Sequence, residues 1–409
     1  MSASVHPANE GLNFTFDGFM TREVLENYLS RAMTCSGCFD GLSKEFEEIS
    51  PEVDQCLRMI LNTGVKYVGR AGCQWILSGR HAAEFPRTAE NAAKVHAADP
   101  EIILEACIFE CICTGVNEIA VPAWVFEEFG LPVEDRHFVY EDMIYTDGKW
   151  NNVWGEGRSV PDVTRPETQM YFYYLARMYI DAGFEAFHMG QYYLIGAYDK
   201  GFVCYTAVHD RIRAYAKKHA RRHFVLINAH CHGETDANGM CMFDFHEWPS
   251  RGKVPDGSVA HLPAPGNPQE IELVEGYMDS IYHDSHGGKT YSGWECEFLP
   301  YTVELDNYSP ECPRNTPGRW WGYDEISWFI NQPDDYRADW LGYAYRWVRE
   351  HDPDGHFMMP GVRVASHFDT ATDTRDGFMY FNYDRACDPR GTGDENAIRE
   401  IFIRDRKER

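Results

Sequence analysis

Glu304 and Asp306 lie two residues apart in the stretch Glu297-Phe298-Leu299-Pro300-Tyr301-Thr302-Val303-Glu304-Leu305-Asp306-Asn307-Tyr308. Read as a strand, it turns Val303 and Leu305 to one side and Thr302, Glu304 and Asp306 to the other. Two carboxylates on one face of an apolar strand either face water at a sheet edge or line the mouth of a site, where burial and like-charge repulsion tune their proton affinity. A second buried charge stands in Glu101 to Glu110 (EIILEACIFE), apolar enough for the centre of a parallel sheet. There Leu104 and Ala106 flank Glu105, and Glu110 closes the run. One carboxyl kept protonated and one ionised, across a cleft, is the equipment of glycoside hydrolysis. Glu105 is the expected acid, Glu304 or Asp306 the nucleophile or base, and Glu110 the reserve acid.

The elements that must position these groups follow a strand–helix rhythm. Expected strands are Asn13–Gly18, Val65–Ala71, Glu101–Glu110, Glu185–Gln191, His223–His230, the Glu304 stretch, His356–Gly361 and Gly377–Asp384. Helices are expected from Thr21, which caps, to Ala32, then over Pro51–Asn62, Thr88–Ala98, Glu167–Ala182, Val208–Arg222, Glu270–Tyr282, Tyr323–His351 with a break at Pro333, and Asp394–Phe402. Eight strands mostly separated by helices predict a single (β/α)8 TIM-type barrel over residues 1–409. A doubly wound sheet is disfavoured, because no phosphate-binding Gly-x-Gly-x-x-Gly or Walker loop follows the first strand. Residues 111–166 break the rhythm with Pro122, Pro132, Pro161, Trp124, Trp150 and Trp154, and read as an excursion over the catalytic face.

In such a barrel the site lies at the carboxyl ends of the strands. The same rim supplies the expected substrate contacts: Asp17, Arg70, His188 or Gln191, Asn228, His230 and Asn307. Trp320 and Trp321, after Pro317-Gly318, form an expected stacking platform for a sugar ring. With these residues in place, the chain resembles barrel-type glycoside hydrolases whose two catalytic carboxylates stand on strands three apart. In that group they usually stand on the fourth and seventh strands. Here they fall on the expected third and sixth, and Leu104-Glu105-Ala106 lacks the Asn-Glu pair of the group's acid position.

Two other readings compete. His230-Cys231-His232 ends one strand and His188 the one before it, so His188, His230 and His232 with nearby carboxylates make a candidate metal set for a metal-dependent hydrolase or sugar isomerase. A barrel that binds carbohydrate without catalysis is the third. The carboxylate reading needs no cofactor.

The net charge of -26 argues against nucleic acid and anionic membranes as partners, and leaves a small saccharide as the expected one. No run of about 18 apolar residues is present, so no membrane span is expected. The 13 cysteines lack a disulfide rhythm, and no basic-then-apolar leader is visible, which predicts a reduced, cytoplasmic protein. Cys35-Ser36-Gly37-Cys38 has no partner pair elsewhere and reads as two free thiols in a loop. The sequons at Asn13 and Asn307 are expected to be silent.

Overall fold

A computed structural model of the chain describes residues 5–41, 52–73, 82–236, 238–255, 270–277, 279–306, 325–369 and 374–408, with side chains left out over 366–378. The strands are β1 (Ala32–Cys35), β2 (Tyr67–Gly72), β3 (Ile103–Cys107), β4 (Ile112–Cys113), β5 (Arg158–Ser159), β6 (Ala186–His188), β7 (Leu226–Asn228), β8 (His246–Pro249), β9 (Tyr301–Glu304), β10 (Gly355–Phe357), β11 (Met359–Asp369) and β12 (Thr374–Phe381).

They form a mixed α/β fold and not the expected closed barrel. A seven-stranded sheet runs in the order β12-β11-β1-β2-β3-β6-β7, a three-stranded sheet in the order β10-β9-β8, and β4 pairs with β5 alone. All pairs of the two larger sheets are parallel except β11 with β12. The sheets abut at two places. Asp244 N–H donates to the Ile227 carbonyl at 2.8 Å and Glu247 N–H to that of Ala229 at 3.1 Å, while Met358 N–H donates to Val303 at 2.8 Å. Beyond its parallel pairing with β1, β11 leaves the parallel arrangement and builds a long antiparallel hairpin with β12. The expected eighth strand is therefore an antiparallel edge.

Asn13–Gly18 is not a strand. Its alternating Phe14 and Phe16 pack edge-on against Tyr28, and Phe16 also against Phe224. They join one apolar cluster with Ala32, Tyr67, Ile103, Ala186 and Leu226, the first residues of β1, β2, β3, β6 and β7. The segment thus caps the amino ends of the parallel strands. The first strand is instead Ala32–Cys35, so Cys35 and Cys38 are buried beside a strand end, with Cys38 N–H bonded to the Cys35 carbonyl.

The helices follow the chain's own punctuation. Thr21 accepts the Val24 N–H and opens Arg22–Leu29. Gly64, at φ 81°, closes Val53–Thr63 in the left-handed conformation that glycine tolerates. Pro333 separates Glu325–Ile330 from Asp334–His351. The expected helix over Glu270–Tyr282 does not form. Among the described residues no helix is long and apolar enough to cross a membrane.

Candidate functional site

The carboxyl ends of the parallel strands gather an unusual density of buried charge. Glu105, Glu110, Glu247, Glu304 and Asp306 share the region with Arg70 and Arg363, all at most 9 % exposed. Carboxyl groups outnumber guanidinium groups, so protons or other cations must offset the remainder.

Arg70 sits where the β2–β3 register slips, and its φ of 56° is uncommon for a residue with a Cβ. The turn aims its backbone N–H at Glu105 Oε2, at 2.8 Å, and its guanidinium across the site to Glu304. The same Nη2 lies 3.4 Å from Glu247 Oε1 and 3.9 Å from Asp306 Oδ1. Arg363, from β11, completes the bridge, 2.5 Å from Glu304 Oε2 and 3.3 Å from Asp306 Oδ1. Thr34 of β1 donates to Glu304 Oε2 at 2.8 Å. Burial alone would raise the Glu304 pKa. Arg363 and Arg70 outweigh it and hold the group down to about 2, so it is ionised.

The expected acid, Glu105, is a structural hub. It is fully buried and accepts from Tyr67 O–H, Arg70 N–H and Asn228 Nδ2–H, the last at 2.6 Å. Burial raises its pKa against those three donors. It has no exposed surface, and both its oxygens are taken by these donors.

Glu110 lies five residues further along, past the end of β3. Its Oε2 accepts the Gln191 backbone N–H at 3.0 Å, and burial pushes its pKa up. Its proton affinity also feels Arg70, which lowers it, and Asp306, which raises it. Glu110 is 5 % and Asp306 6 % exposed, against 0 % for Glu105 and 1 % for Glu304. Glu110 and Asp306 thus keep a trace of exposure that Glu105 and Glu304 lack. Trp154, from the 111–166 segment, donates its indole N–H to the Glu110 carbonyl at 2.9 Å, so that excursion does reach the end of β3.

His188 and His230 stand side by side, ring centres 4.9 Å apart, with Glu247 of β8 next to them. Burial lowers the pKa of both imidazoles, that of His188 to about 3, and raises that of Glu247 well above the ordinary range. His232 does not join them: it bonds Asp284 at 2.7 Å and packs on Trp248. Gly233, at φ 130°, bends the chain there.

Asp17 is displaced from the site altogether, because its segment caps the opposite end of the strands. It is exposed and bonded to His223 at 2.6 Å. Gln191 contributes a backbone N–H, and Asn228 bonds His188 and Glu105. Asn307, Trp320 and Trp321 lie outside the described residues.

Sequence reasoning missed Thr34, Tyr67 and Arg363, and it set Glu247, a carboxylate near the candidate metal histidines, in a loop where the structure has β8. Thr34 stands in β1, four residues that no expected strand covered. Arg363 alternates with Val362 and Val364, a signal that extending the expected strand past Gly361 would have caught.

No known family model matches the chain, and no curated protein matches it at a significant level.

Proposed function

We propose that the chain hydrolyses an O-glycosidic bond of a small saccharide, with Glu110 as general acid and Asp306 as nucleophile or base. One observation carries this: of the clustered carboxyls, Glu110 and Asp306 are the two that keep some exposure, and both feel the Arg70 charge. Desolvation raises the proton affinity of Glu110, the direction a general acid needs. Arg70 and Arg363 favour the ionised form of a carboxylate beside them, the state a nucleophile or base needs. Glu304, bonded on both oxygens, holds the two arginines that also approach Asp306. Half-buried Trp154 and Trp248 supply aromatic surface nearby.

Chromogenic glycosides test the reading. The wild-type chain should turn over at least one, and Asp306→Asn should abolish turnover. Glu110→Gln should lower the rate about 10²–10⁴-fold, with a smaller loss when the leaving group needs no proton. Saccharide binding without turnover by the wild-type chain would replace this reading with the non-catalytic one.

A further inference from the structure

We infer that His188, His230 and Glu247 form a binding site for one divalent transition-metal ion, of zinc type. The inference stands apart from the hydrolytic reading, which needs no metal.

The argument begins with the tautomer of His188. Asn228 Nδ2 donates to Glu105 Oε1 at 2.6 Å, which turns the amide oxygen of Asn228 toward His188. That oxygen lies 2.6 Å from His188 Nδ1, so Nδ1 carries the hydrogen and donates. Nε2 is left with its lone pair. It is fully buried and has no hydrogen-bond partner among the described residues. Glu247 Oε1 turns to Arg70, and Oε2, also buried, has no hydrogen-bond partner either. One ligand atom from each of His188, His230 and Glu247 falls within a 4.8 Å group.

Acceptor atoms converging in a dry space call for a cation. Two imidazoles and one carboxylate make a known catalytic zinc set, with a fourth position open. Ligands at about 2.1 Å from a tetrahedral zinc stand about 3.4 Å apart, so closure by about an ångström completes the site. An imidazole whose second nitrogen is held by an amide, itself held by a carboxylate, is the outer-shell support that metal-bound histidines have. Arg70 opposes a cation at 3.4 Å from Glu247 Oε1, but the surrounding carboxyls outnumber the two guanidinium groups. The other group of this kind among the described residues, Glu275, His283 and His351, is more exposed.

The test is calorimetric titration of the full-length, chelator-stripped protein with zinc, and separately with manganese. One equivalent should bind tightly, and zinc should raise the melting temperature. His230→Gln and Glu247→Gln should each weaken binding at least about 100-fold, and Asn228→Ala about 10–100-fold. Doubly substituted His283→Gln/His351→Gln should keep the tight equivalent. His230 is at the rim, so His230→Gln carries the test if Glu247→Gln fails to fold. Unchanged affinity in His230→Gln, no tight equivalent in the wild type, or loss only in the His283/His351 variant overturns the inference. Glu110→Gln should bind the metal normally while losing hydrolysis, so failure of one reading does not carry the other with it.

Discussion

Glu110 accepts the Gln191 backbone N–H at 3.0 Å because residue 190 has no side chain. A Cβ on Gly190 would run into the Glu110 carboxyl, and Gly190 sits at φ 58°, where side chains are strained. Gly190→Ala should therefore displace the proton donor and mimic Glu110→Gln: a rate loss of about 10²-fold or more, with retention of activity toward glycosides whose leaving group needs no proton. Equal losses on both substrate types would remove Glu110 from the mechanism.

The pH profile should carry the same signature. The raised pKa of Glu110 keeps its acid form present above the ordinary carboxylate range. Activity should fall on the alkaline side as that proton is lost, and Glu110→Gln should flatten that limb. An unchanged alkaline limb in the variant would assign the titration elsewhere.

Glu105 should matter to stability. Glu105→Gln places an N–H₂ among the three donors from Tyr67, Arg70 and Asn228, which leaves at least one buried donor unmatched. The expected cost is about 1–3 kcal/mol in urea unfolding. A variant as stable as wild type but catalytically dead would return Glu105 to the chemistry.

Glu325 ties the ends of β8 and β9 together, accepting from the backbone of Ser250, Arg251 and Asp306. Burial raises its pKa to about 7, above the 4.5 of an ordinary Glu. Its contribution to stability is thus fully present below about pH 4.5 and is lost as pH rises through about 7, a change of about 3 kcal/mol. Glu325→Gln should remove this component from a stability-versus-pH curve, and a curve with the wild-type slope would refute it.

The cysteines should all titrate as thiols. The twelve described ones are free, including Cys35 and Cys38. Denatured, unreduced protein should approach 13 thiols per chain, and a count several short would reveal disulfides.

Much of the site was legible in the sequence. Alternation put Glu105, Glu304 and Asp306 on inward faces, and strand ends rich in polar residues located His188, Asn228 and His230. Helix caps and breakers fell at Thr21, Gly64 and Pro333 because those residues act locally, through one hydroxyl, one positive φ and one missing N–H. What stayed hidden depends on distant parts of the chain. Phe14 and Phe16 alternate as a strand would, yet they cap the strand ends, since an alternating apolar pair records burial and not pairing. No expected strand covered His246–Pro249, which pairs with β9 from far along the chain, so Glu247 was read as part of a loop. Alternation also has no sense of depth. Glu105 lies within β3, whereas Glu110 lies past its end. Only the packed structure decides that the first is sealed by Tyr67 and Asn228 while the second takes the Gln191 N–H, because that outcome rests on neighbours brought together by the fold.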